Sequence, residues 1–266
     1  MFYQTLERII TCDNIEEKFE MFYEMYSNLK NYDFTSQQSP KIFEKPSYAS
    51  FCKIVPPAKV PRRRGFDTPE KKAVLLHAIV HIEYSAIDLA LDAAYRFRNL
   101  PKEYYYDWLE VAEDEIRHFK MMNSLLEKTG YKYRDFPVHN SLFEASLKTQ
   151  DLLSRMAVIP RWYEANGLDA NEKIIKKLSR LNDPFAKEVI KALKVILNEE
   201  IPHVSKGDKW FKFECKKKNS DPVETYFKII DNFFKDWKKK DLNTAARLKA
   251  GFTCRELKIL NEKAEC

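Results

Sequence analysis

Apolar residues recur at intervals of three and four through most of this chain, and strict alternation over more than a few residues is absent. That periodicity predicts helices rather than strands. Asp13 and Glu16 have the spacing of a capping box and predict a first helix over about 15–31, with Phe19, Phe22, Tyr23 and Tyr26 on its apolar face. The next stretch, about 32–68, contains Pro40, Pro46, Pro56, Pro57 and Pro61, too many for a long helix. Its apolar content (Ile42, Phe43, Tyr48, Phe51, Ile54, Val55) predicts an arm wrapped on a core rather than a free linker. Thr68-Pro69 is an N-cap followed by proline at the first helical position, opening a helix to about Phe97. Further helices are predicted over Lys102–Lys128, about 142–165 with a stop at Gly167, and from Asp183-Pro184 to about Gly207. Short helical pieces are expected near 171–180 and 256–260, and a longer one from Asp221-Pro222 to about 238.

Four long central helices therefore dominate an all-α chain. The expected organisation is an N-terminal helix and arm (1–68), a four-helix bundle (69–207) and a basic helical extension packed on it (208–266), forming one globular unit. Composition agrees: five glycines in 266 residues are too few for the turns of a typical all-β protein or a glycine-rich nucleotide loop. The net charge of +6 is concentrated, since residues 206–249 hold 13 Lys/Arg against 7 Asp/Glu, a difference of +6. A solvated Lys-rich face is the simpler reading of that segment and nucleic-acid binding the sharper one. The turn Pro61-Arg62-Arg63-Arg64-Gly65 poses the same choice between a salt-bridged or solvated turn and a phosphate site. Five scattered cysteines with no CxxC indicate neither a zinc site nor a disulfide framework. With no signal-peptide core at the start and no uninterrupted apolar run of membrane length, a cytoplasmic protein off the membrane is expected.

The chemistry lies in the histidines. Of five, only His118 and His203 have Glu three residues earlier, in Glu115-Ile116-Arg117-His118 and Glu200-Ile201-Pro202-His203. Glu and His at i, i+3 share a helix face. Each pair is preceded by a lone Glu on the previous long helix, Glu83 before the first and Glu164 before the second. The spacings are 32 residues from Glu83 to Glu115 and 36 from Glu164 to Glu200. The halves are offset by 81 residues (Glu83 to Glu164) and 85 residues (Glu115 to Glu200). Four carboxylates and two imidazoles in this order are the donor set of a di-iron or di-manganese carboxylate bundle. Such cations need several carboxylates to offset their charge. Pro160, one turn before Glu164, and Pro202, inside the second motif, predict either local kinks or π-bulges that aim a ligand.

His77 and His81 have i, i+4 spacing, but no Glu follows His77 as the zinc-protease motif requires, so a hydrogen-bonded polar stripe shared with Asp88 is the better reading. Asp114 and Glu199, each four residues before a motif histidine, are either partners of those histidines or exposed acids. His139 reads as structural, and Tyr104, Tyr105 and Tyr106 as packing groups.

The strings LLHAIVHIEYSAIDLALDAAYRF, DWLEVAEDEIRHF, RMAVIPRWYEANGLD, EEIPHVSKGDKWF and AARLKAGF resemble a bacterial family known as domain of unknown function 455, over roughly residues 50–260. The resemblance implies the ferritin-like fold, whose di-iron members include oxygenases, oxidases and ferritins. More distantly, the chain is similar to the di-iron hydroxylase that acts on a hypermodified adenosine of tRNA. All six ligand positions are present: Glu83, Glu115, His118, Glu164, Glu200 and His203. The expected function is dioxygen activation at two iron ions (manganese being the alternative metal), fed by an external electron donor, to hydroxylate or oxidise a substrate such as a tRNA nucleoside. The alternatives are a ferroxidase or iron-binding protein, and a non-catalytic metal-binding or RNA-docking bundle. The arm and extra helices favour a monomer or dimer over a closed cage.

Overall fold

The computed structural model describes residues 1–238 and 241–266. Among the described residues the protein is all-α, with no strand and one isolated parallel bridge, Ile54 to Val138. Lys239 and Lys240, part of the basic segment, lie outside the described residues. By backbone packing the chain divides into two compact units, Met1–Glu144 and Ala145–Cys266.

The first unit opens with α1 (Phe2–Thr11) and α2 (Ile15–Ser27). The first of these is an addition to the sequence expectation, although Phe2, Leu6, Ile9 and Ile10 are all buried and fall at helical spacing. The cap of α2 also differs: Asn14, not Asp13, accepts from the backbone N–H groups of Glu16 and Glu17. This helix ends at Ser27, and a single 3-10 turn (Leu29–Asn31) follows it.

The Pro-rich arm does wrap. Phe34 lies flat on Tyr105, ring centroids 4.7 Å apart, while Phe34, Tyr48, Cys52 and Phe66 are buried. Val55 N–H donates to Val138 O at 2.8 Å and Val138 N–H to Lys53 O at 2.9 Å, tying the arm to the loop before His139. Ile42 is an exception to the expected wrapping face, being well exposed.

Helix α3 (Pro69–Arg96) begins as predicted, with the Thr68 hydroxyl accepting from Lys71 N–H. It packs against α4 (Lys102–Glu127). From Glu83 onward nearly every residue of α3 is buried, the polar Glu83, Ser85, Asp88, Asp92 and Arg96 included, the mark of a core helix. By length and composition α3 could cross a membrane, with a mean hydropathy of 1.5 over 18 residues, but 78% of that window is buried within the protein itself. Core burial accounts for its composition.

Helix α5 (Ser141–Lys148) leads to the second unit, where the expected helix over 142–165 is instead interrupted. Asp151 caps a new helix, α6 (Leu152–Val158), which runs into a π-helical turn (Ile159–Glu164) and then α7 (Ala165–Leu178). Gly167 therefore does not stop the helix; it lies in its first turn. The proline explains the π turn. Pro160 has no N–H to return to the preceding turn, and widening the helix lets Ala165 N–H reach back five residues to Pro160 O.

Asp183 caps α8 (Pro184–Lys217), which continues ten residues past the expected end near Gly207 and carries Pro202 without interruption. Against it pack α9 (Pro222–Phe233) and α10 (Thr244–Lys249), and α11 (Cys254–Leu260) follows. Helix α9 stops short of residue 238, and α10 was not anticipated. Cys254 and Cys266 are disulfide-bonded, Cα atoms 5.8 Å apart, contrary to the expectation of no disulfide. The turn after α11 brings the terminus back onto its first residue, a closure that no sequence spacing announces.

Candidate metal centre

The first unit brings three of the expected ligands together. Glu83 comes from the middle of α3, and Glu115 and His118 come from α4, one turn apart. Glu83 is 5% exposed and the other two are fully buried. His118 Nδ1 lies 3.4 Å from Glu83 Oε2 and 3.4 Å from Glu115 Oε2. Each of the three residues offers a donor atom, and those atoms lie within 4.8 Å of one another. This is a buried Glu/His cluster able to hold a metal.

Its electrostatics follow from the burial. Two buried carboxylates, on helices whose neighbouring positions Val80, Ile87 and Ala112 are also buried, carry a large desolvation penalty unless a cation compensates them. Burial disfavours protonated His118, but the Glu115 and Glu83 carboxylates outweigh it and raise the imidazole pKa to about 11. In the metal-free protein the cluster thus recruits a proton as its cation. The fit to a metal is good: two hard oxygen donors and one imidazole, drawn from two packed helices.

The second unit carries the other three. His203 is fully buried on α8, and its Nδ1 lies 3.8 Å from Glu200 Oε2, one turn back. Glu164, half-buried, is the last residue of the π turn. The π-bulge reading thus holds for Pro160 and not for Pro202, which sits exposed in unbroken α-helix.

The remaining candidates have other roles. His81 Nδ1 pairs with Tyr133 OH and Nε2 with His139 O, both at 2.8 Å, and His77 Nε2 accepts from Arg134 N–H at 3.1 Å. Burial pushes both imidazoles down to about 4, so they are neutral hydrogen-bonding groups, as the stripe reading expects. Asp88 does not join them; it pairs with Lys18 of α2. Asp114 pairs with Arg117.

Sequence reasoning missed several buried cations, among them Lys18, Arg161 and Arg247. Lys18 is fully buried on α2, one turn before Phe22. Arg161, in the π turn, is ion-paired with Asp208 and Glu256, and rings of Phe211, Tyr226 and Phe252 lie 4.2–4.9 Å from its guanidinium carbon. Arg247 forks onto Asp169, with Nη2 to Oδ2 at 2.7 Å and Nε to Oδ1 at 3.1 Å. An arginine inside an apolar run, as in AVIPRWY and AARLKAGF, was the available signal.

The chain belongs to the family described as Protein of unknown function (DUF455), which matches residues 11–258. It is 37% identical over 279 aligned positions to a Haemophilus influenzae protein described as uncharacterized, covering 98% of this chain and 94% of that one. No solved structure matches it.

Proposed function

We propose that this family member is a ferritin-like oxidoreductase with a dinuclear, di-iron centre. Glu83, Glu115 and His118 would supply one half of the ligand set and Glu164, Glu200 and His203 the other. The observation that carries the reading is the buried cluster of Glu83, Glu115 and His118, two carboxylates with donor atoms within reach of one cation. The recurrence of the same Glu then Glu-x-x-His order in the second unit supports two metals rather than one.

A reduced iron pair, when bound, supplies the chemistry of dioxygen activation, with an external donor replacing the electrons. The chain's own part is to hold and shield. Glu83 and Glu115 provide anionic oxygen donors from rigid helices, and His118 provides a nitrogen donor once its proton is displaced. Apolar packing around the cluster keeps bulk water from it. The resemblance to the tRNA hydroxylase makes a modified nucleoside the first substrate class to test.

Anaerobic loading with ferrous iron, followed by metal analysis, tests the centre. The expected result is about two metals per chain, with loss in Glu115→Ala and in His203→Ala. Unchanged metal content in both variants would sink the proposal.

A further inference from the structure

A second concave site occupies the first unit, a pocket of about 470 Å³. The Pro-rich arm contributes Val60, Pro61 and the run Arg62, Arg63 and Arg64 to its lining, and the loop before His139 contributes Phe136, Pro137 and Val138. Its floor is a face of α3 carrying Val74, His77, Ala78, His81 and Ile82. This site is separate from the metal cluster. At about 100° per residue those five positions share one arc of α3, and Glu83 projects roughly 170° from its centre.

The lining is chemically one-sided. Three guanidinium groups border the pocket and no Asp or Glu does. All three arginines are exposed, and among the described residues none pairs with a carboxylate. Arg63 and His139 both line the pocket, and burial, and after it the Arg63 charge, lowers the His139 pKa. The salt-bridged reading of this turn is therefore excluded for the described residues. Ile82, 42% exposed, also lines the pocket and adds an apolar group to the cationic ones.

We propose that this pocket binds a small phosphorylated organic molecule, its phosphate on Arg62–Arg64 and its apolar body against Ile82 and Phe136. Adjacent guanidinium forks match a doubly charged phosphate better than a single carboxylate. The volume falls within the range of roughly 300–1,000 Å³ typical of small-molecule sites. A polynucleotide needs an extended cationic track instead. Prolines 56, 57 and 61 stiffen the arm, so the arginines are presented with little ordering to be done on binding. The proposal does not depend on the metal centre.

Calorimetry with phenyl phosphate, inorganic phosphate and a short single-stranded RNA tests it. Phenyl phosphate is expected to bind at one site per chain and more tightly than inorganic phosphate. In the double variant Arg63→Gln/Arg64→Gln, on an exposed turn, its affinity should fall about tenfold or more, or about 1.4 kcal/mol, with an unchanged melting temperature. Ile82→Gln should reduce the advantage of phenyl phosphate over inorganic phosphate. Failure of phenyl phosphate to bind, or equal binding by the double variant, overturns the assignment. So does RNA binding that needs these arginines but is not displaced by phenyl phosphate.

Discussion

Pro160 in the π turn lies directly against Gly207 of α8: a Cβ placed on Gly207 would come within 2.2 Å of Pro160 Cβ. Only glycine lets the widened turn sit this close to the helix that carries His203 four residues earlier. Gly207→Ala is expected to destabilise the fold by about 1–3 kcal/mol, the usual range for overpacking. Because Glu164 ends the same turn, the variant should also bind less metal. Denaturant unfolding and metal analysis of one preparation check both effects; an unaltered unfolding midpoint would show that Pro160 gives way freely.

Arg161 anchors the same turn. It pairs with Asp208 of α8 at 3.1 Å and with Glu256 of α11, and its carbonyl accepts from Tyr226 OH of α9 at 3.0 Å. Glu256 also accepts from Thr253 N–H at 2.7 Å as the capping box of α11. Removing one member of a buried pair strands the other charge. Glu256→Ala should therefore lower stability by about 3–5 kcal/mol. Glu256→Gln, which keeps an acceptor for Thr253, is expected to lose less. Equal losses in chemical denaturation would mean that the charge, not the cap, matters.

These two anchors mark where the sequence was readable and where it was not. Helix α3 was placed to within a residue because Thr68-Pro69 states its start and its apolar positions continue to Arg96. The Glu83, Glu115 and His118 grouping was likewise legible, since an i, i+3 pair and a carboxylate on the preceding helix need only antiparallel packing to meet. Interruption of the expected helix over 142–165 was not. Thr149, Gln150 and Asp151 look tolerable within a helix, and the break depends on Arg155 donating to Thr149 O at 3.1 Å and Ser146 O at 2.8 Å. Helix α1 was overlooked although its pattern was present; it is held by Tyr3 OH donating to Phe34 O at 2.6 Å. Polar contacts of this kind, outside helical spacing, leave no trace in the apolar pattern.

Lys18 and Asp88 form another such contact, within the first unit. The Lys18 ammonium also reaches Ser47 Oγ at 3.0 Å, and Ser47 Oγ donates to Asp88 Oδ2 at 2.8 Å, so one buried network joins α2, the arm and α3. Asp88→Ala should lower stability by about 3–5 kcal/mol and expose the arm to proteolysis near Ser47. A combined Lys18→Met/Asp88→Leu variant is expected to be less damaged than Asp88→Ala, because no charge is left buried. Additive losses in a double-mutant cycle would contradict the coupling.

The His118 imidazole makes metal binding a proton-linked event. Its folded pKa of about 11 lies above the reference 6.5, so the stabilisation it draws from Glu115 and Glu83 is complete below about pH 6.5 and lost as pH rises through about 11. At neutral pH, metal-free His118 is protonated. A cation seated by Glu83, Glu115 and His118 must displace that proton. Binding should therefore release about one proton at this position, and apparent affinity should rise by up to about tenfold per pH unit over the neutral range. Calorimetry of ferrous binding in buffers of different ionisation enthalpy measures the release directly, and His118→Asn should abolish this contribution while Asp114→Asn leaves it intact. Metal binding without proton release would mean that His118 is already neutral when the cation arrives, and that the carboxylates hold something other than this imidazole's proton.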